Sequence, residues 1–108
     1  MKVALVAGVA HRLGPAYAQA RELGARGYHV ILGSSERGAA ELLSAELRAE
    51  GFSATPMRLD LRDAAGCAEV AAEVRRRFGR LDALVVEEGR HGARLRAALG
   101  PLLDAVPA

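Results

Sequence analysis

Tryptophan is absent, cysteine and lysine occur once each, as Cys67 and Lys2, and the aromatics are limited to two Phe and two Tyr. A single thiol excludes an internal disulfide, so Cys67 is expected as a small apolar core residue. Without Trp, and with Phe52 and Phe78 isolated from each other, the basic–aromatic interleaving of nucleic-acid platforms is missing, and no nucleic-acid partner is expected. The one dense cationic run, Arg75-Arg76-Arg77, suits the last turn of a helix, where cations interact favourably with the dipole. No apolar run approaches the ~20 residues that span a bilayer, so no membrane partner is expected. The opening MKVALVAGVA lacks the length and flanks of a signal peptide, and a cytoplasmic location is expected. Net charge is only +2, and the pI near 9.2 reflects cations that are almost all Arg.

What is present is a strict alternation of strand and helix patterns in a length that suits one domain, residues 1–108. Lys2 to Ala7 is an apolar run of the kind buried on both faces of a sheet. A helix is predicted from Pro15 to Arg26, with Ala16, Ala20, Leu23 and Gly27 on its apolar stripe. Pro15 suits the first turn and Gly27 the position past the end. Tyr28 to Leu32 reads as the second strand, stopped by Gly33-Ser34-Ser35. Ser35 then caps a helix from Glu36 to Glu50. Ala54 to Leu61 is the third strand, and Pro56 places it at an edge. Asp63 caps a helix from Ala64 to Phe78 whose apolar face carries Cys67, Val70, Ala71 and Val74. Asp82 to Val86 is the fourth strand. A last helix runs from His91 to Ala105, burying Leu95, Leu99, Leu102 and Leu103.

Strands joined by helices of this length pair in parallel. The expected sheet order is 3-2-1-4, with the topological switch between the first and fourth strands. Ligands of such sheets bind at the carboxyl ends of the strands near the switch. The loops to watch are therefore Gly8 to Gly14, Gly33 to Ser35, Asp60 to Asp63 and Glu87 to Gly92.

VALVAGVAHRLG, ARGYHVILGSS, LSAELRAEGFSATPMRLDLRD and AAEVRRRFGRLDALV, in that order and spacing, resemble the cofactor-binding half of the short-chain dehydrogenase/reductase family over roughly residues 1 to 89. The resemblance implies an α/β fold, a Rossmann-like three-layer sandwich with a four-stranded parallel sheet, here truncated. It implies NAD or NADP as cofactor, with Gly8, Arg12, Leu13, Gly14, Ser34, Asp60, Leu61 and Gly89 as the residues that hold it. In the family Asp60's counterpart contacts the adenine. A glycine turn lets backbone approach a pyrophosphate, and the following helix N-terminus favours the anion.

The chain departs from the family in three places. Ala7 stands where the family has Thr, and Arg12 occupies the middle Gly. Read against the longer turn of enoyl-acyl-carrier-protein reductases, the spacing fits better, but Pro15 then falls at a phosphate contact and has no N–H to donate. Arg12 either supplies a charged donor or is a solvated loop cation. After the second strand, Ser34 and Ser35 are neither the acid of NAD readers nor the base of NADP readers, although Arg37 is near. Where the family has Asn-Asn-Ala-Gly, this chain has Val86-Glu87-Glu88-Gly89. At ~6 Å and an effective dielectric near 20, a carboxylate facing a phosphate costs up to about 3 kcal/mol before screening, unless Arg12 or Arg90 pairs with it. Glu87, Glu88 and His91 lack a fourth partner, so no metal is expected.

The family's catalytic Tyr-x-x-x-Lys is missing: Tyr17 and Tyr28 have no Lys four residues on. Proton transfer to a carbonyl needs such an acid beside a cation, so no catalytic residue is assigned. Three readings follow: an NAD(P)-binding domain incomplete as an enzyme, a non-enzymatic relic or interaction protein that has lost the cofactor, and an oxidoreductase completed by another chain. The fourth strand is expected to present an apolar edge. A homo-oligomer through that edge, or through the face of the last helix, is therefore expected.

Overall fold

A computed structural model of the chain describes residues 1–10, 13–36, 38–86 and 90–104. The elements run β1 (Val3–Ala7), α1 (Pro15–Ala25), β2 (His29–Ser34), α2 (Ala39–Ala49), β3 (Ala54–Arg58), α3 (Ala64–Arg77), β4 (Ala83–Val85) and α4 (Arg90–Asp104). All pairings are parallel and the sheet order is β3-β2-β1-β4, as the alternation of elements predicts.

The two faces of β1 feed two different cores, because successive side chains point to opposite sides of the sheet. Val3, Leu5 and Ala7 pack with Ile31 against Cys67, Val70 and Val74 of α3 and Leu95 and Leu99 of α4. Val6, with Val30 and Leu32 from β2, packs against Tyr17 and Ala20 of α1 and Leu43 and Leu47 of α2. The result is a three-layer α/β/α sandwich. Cys67 is fully buried, as expected of a core thiol.

Several boundaries differ from the sequence pattern, each for a local reason. β2 does not stop at Leu32. It continues through Gly33 and Ser34, which pair with Met57 and Arg58 of β3. Ser35 does not cap α2. The Ser34 hydroxyl instead accepts a hydrogen bond from the Glu36 N–H at 3.1 Å, a turn of the kind Ser favours. The helix then starts at Ala39, after Gly38 turns the chain with φ of 82°. β3 ends at Arg58 rather than Leu61. β4 is three residues rather than five. The buried residues of α1 are Tyr17, Ala20 and Gly24, a stripe rotated from the expected Ala16–Gly27 line. Gly24 sits there because a Cβ would come within 3.0 Å of the Phe52 ring. Asp63 does occupy the N-cap of α3, but its side chain makes no capping hydrogen bond.

The two sheet edges differ in kind. Val30 N–H donates to Ser53 O and Leu59 N–H to Ser34 O, so alternate residues of β3 face β2 and Pro56 turns its backbone outward. Its missing N–H thus costs the ladder nothing and blunts that edge. On the far side, Asp82 N–H donates to Val3 O at 2.7 Å, which leaves Ala83 and Val85 turned outward. All three β4 residues are half-buried, and α4 packs against α3.

The β1–β4 junction is fixed by Asp82, whose side chain is only 5% exposed. Its carboxylate accepts Val3 N–H at 2.8 Å and two bonds from Arg80, at 2.9 and 2.6 Å. The Arg80 guanidinium holds the carboxyl below the ordinary aspartate value, burial opposing and the Val3 N–H assisting. Asp82→Ala should therefore destabilise the fold by about 1–3 kcal/mol, since it leaves the Val3 N–H without its acceptor. Because the folded pKa is depressed, the contribution is complete above the unfolded pKa of ~3.9 and lost as pH falls through the lower folded value. Urea denaturation from pH 7 downward checks both. A variant as stable as the parent at pH 7 would refute the first.

Candidate cofactor site

The glycine turn begins where β1 ends. Gly8 has φ of 82°, a conformation that L side chains rarely adopt. It lets two successive amides, of Gly8 and Val9, donate to the same carbonyl, Gly33 O, at 3.0 and 3.1 Å. Val9 is then buried against the α1/α2 core. Leu13 follows, 91% exposed, and Gly14, in extended conformation, is the N-cap of α1 with Pro15 in its first turn. The amino-terminal end of an eleven-residue helix, the positive end of its dipole, therefore meets the turn.

Gly33 is placed by a second constraint. A Cβ there would lie 2.9 Å from Leu59 Cδ2, so the Leu59 side chain closes over β2 only because Gly33 has none. Sequence reading treated Gly33 as a strand terminator. A glycine next to a strand pattern also signals close approach of another chain segment, and that signal was available.

Two clefts open at the carboxyl ends of β2 and β3. One, of about 440 Å³, is lined by Ser34, Ser35, Glu36, Gly38, Glu41 and Arg58. The other, of about 340 Å³, includes Met57, Arg58, Asp60, Asp63 and Glu69. Arg58, which sequence reading passed over, lies between them, in register with Ser34. Ser34 is buried and its hydroxyl is engaged by Glu36 N–H. Leu61 is half-buried and packs on the α3/α4 core.

Asp60 lines the second of these clefts and is paired with Arg62. Its Oδ1 accepts the Arg62 backbone N–H at 3.0 Å and Nε–H at 3.2 Å, while Oδ2 accepts from Nη2 at 3.4 Å. The Arg62 bonds draw its pKa below the ordinary aspartate value, burial opposing. Arg62 is in turn held from α4, where Arg94 donates to its carbonyl at 3.0 Å. The pairing offsets Asp60's charge where a phosphate-bearing ligand would pass.

Gly8, Leu13, Gly14, Asp60 and Leu61 thus lie in the turns that follow β1 and β3, and Ser34 is the last residue of β2. Arg12 and Gly89 lie outside the described residues, as do His11, Arg37, Glu87 and Glu88. Among the described residues no group of three or more His, Cys, Asp or Glu could hold a metal ion. Nor is any described helix long and apolar enough to cross a membrane. His29, which sequence reading packs within its strand, bonds the Ser53 and Thr55 hydroxyls and lies 5.1 Å from the Phe78 ring.

Comparison with known proteins places this geometry. The family model described as short chain dehydrogenase matches residues 2–99. Versicolorin reductase 1 of Aspergillus parasiticus is 39% identical over 82 residues, which are 75% of this chain and 30% of that protein. The 2,3-dihydro-2,3-dihydroxybenzoate dehydrogenase of Bacillus subtilis is 33% identical over 84 residues, 78% of this chain and 31% of that one. Among solved structures, a metagenomic short-chain oxidoreductase in complex with NADP superposes with a TM-score of 0.86 at 25% identity, covering 96% of this chain and 57% of that one. A hydroxysteroid dehydrogenase from Escherichia coli shares the fold, with a TM-score of 0.84 at 17% identity, covering 95% and 50%. The chain spans about a third of these curated relatives and about half of these solved chains.

The Asp60–Arg62 pair is directly testable. Arg62→Ala should raise the Asp60 pKa toward the ordinary ~3.9, read from the carboxylate carbon by NMR titration. An unchanged midpoint would mean that Arg62 is not what holds it down.

Proposed function

The chain belongs to the short-chain dehydrogenase family, and from that membership we propose that residues 1–108 form a single truncated NAD(P)-binding domain, catalytically incomplete on its own. The observation that carries this reading is the docked glycine turn. Gly8 and Val9 converge on Gly33 O, and α1 points its amino terminus at the turn. That arrangement fits an anionic pyrophosphate even with Pro15 as a silent position.

In this reading Gly8, Leu13 and Gly14 hold the pyrophosphate with Arg12, Ser34 lies toward the adenosine ribose, Asp60 and Leu61 face the adenine, and Gly89 closes the site from the fourth loop. NAD or NADP supplies hydride transfer when bound. The protein's part is to bind and orient. Asp60 can accept a bond from an exocyclic amine, and the α1 dipole meets negative charge without titrating. No group of the chain has the Tyr–Lys pairing that would hand a proton to a carbonyl, so turnover requires groups from elsewhere. A short-chain relative solved with NADP supports the cofactor class.

The β4 edge, with outward backbone at Ala83 and Val85, supports a homo-oligomer; the apolar face of α4 does not, because Leu95, Leu99 and Leu102 are buried in the chain's own core. A dinucleotide partner, without nucleic acid or membrane, and a cytoplasmic location complete the proposal. The alternative, a non-enzymatic relic or interaction protein, keeps the fold and loses the cofactor.

Thermal shift separates the two. NADH or NADPH at a hundredfold its dissociation constant should stabilise by ~2.7 kcal/mol, which at roughly 4–8 °C per kcal/mol is easily read. No shift with millimolar cofactor would favour the relic. The purified chain should show no turnover alone, and its sedimentation at tens of micromolar should exceed that of a monomer.

A further inference from the structure

The amino-terminal end of the sheet, opposite the clefts, carries a cluster that the cofactor reading does not use. His29, the first residue of β2, is half-buried, and both of its ring nitrogens are bonded. Nδ1 lies 2.5 Å from the Ser53 hydroxyl and Nε2 lies 2.8 Å from the Thr55 hydroxyl, at the entry to β3. The ring also rests 5.1 Å from that of Phe78, the C-cap residue of α3, and the Arg77 guanidinium lies 5.4 Å from the same Phe78 ring. One imidazole therefore joins β2, β3 and the end of α3.

We propose that His29 is a proton-operated clamp on the fold: neutral, it ties these three elements together, and an added proton loosens the junction. A neutral imidazole has one N–H and one bare nitrogen, so one hydroxyl accepts from it and the other donates to it. The imidazolium has two N–H groups. Both hydroxyls must then accept, and the one that donated has to turn its proton elsewhere. The new cation would also stand beside Arg77 at the Phe78 ring, partly withdrawn from water. Burial first, and the Arg77 charge second, accordingly draw the His29 pKa below the ordinary imidazole value. The charged groups on the elements packed around it are, among the described residues, already engaged. Glu73 of α3 is bonded by Arg76 and Arg77, and Asp82 before β4 by Arg80 and the Val3 N–H. Arg48 of α2 donates to Ala54 O, and the Lys2 ammonium lies 5.9 Å from the Tyr28 ring.

Urea denaturation of the full 108-residue chain from about pH 8 to about pH 5, beside His29→Gln, tests the clamp. Gln keeps a donor and an acceptor but does not titrate, so the comparison removes what every other titrating group contributes. Because the folded pKa is depressed, the His29 contribution is complete above the unfolded value of ~6.5 and is lost as pH falls from there toward the folded value. Relative to His29→Gln, the parent's unfolding constant should rise by up to about tenfold per pH unit in that window and then level off. NMR of the parent, reading the imidazole in contact with the Phe78 ring, should give a midpoint below ~6.5 that rises in Arg77→Gln. This second reading holds even where His29→Gln does not fold. Parallel pH profiles for parent and His29→Gln, a His29 midpoint at or above ~6.5, or a midpoint unmoved by Arg77→Gln overturns the proposal.

Discussion

One carbonyl oxygen organises the cofactor end of this molecule. Gly33 O accepts both Gly8 N–H and Val9 N–H, and that pair of hydrogen bonds turns the chain out of β1 and sets it against β2. The turn demands a positive φ at Gly8, and the same docking buries Val9 in the α1/α2 core. Gly33 can serve only because it has no Cβ, since Leu59 packs directly over it. Gly8, Gly33 and Leu59, from separate parts of the chain, are thereby held together, and the turn leads on to the amino terminus of α1.

Charge is managed locally elsewhere in the fold. Asp60 at the carboxyl end of the sheet is tied to Arg62, and Asp82 at the opposite end to Arg80. These two pairs have different weight. The Asp60 pair is exposed and screened, so it contributes little to stability and matters for the electrostatics of the crevice. The Asp82 carboxylate is nearly covered and also holds a strand amide, so it contributes to the cohesion of β1 with β4.

Family membership does not by itself bring the family's chemistry, because the chain spans only about a third of the length of these curated relatives. The matched region supplies clefts at the carboxyl ends of the strands, whereas a fold by itself does not carry a reaction. The sheet's unequal edges follow the same division: Pro56 blunts the β3 edge with an outward position that needs no N–H, while β4 keeps its outward amides.

The sequence determined the element order, the parallel sheet and its 3-2-1-4 arrangement, because apolar runs separated by amphipathic helices admit few packings. It also determined the edge position of β3, from Pro56, and the buried face of α3, from the spacing of Cys67, Val70, Ala71 and Val74. Most candidate site residues were legible through their place in the turns after each strand. Tertiary structure alone decided where β2 and α2 begin and end, since Ser34 pairs with Arg58 instead of yielding to Ser35 as a cap. It alone revealed Gly33 as the anchor of the glycine turn and Arg62 as the partner of Asp60. Those facts depend on which atoms approach across the sheet and between loops, and a one-dimensional pattern of apolar and polar residues does not encode such distances.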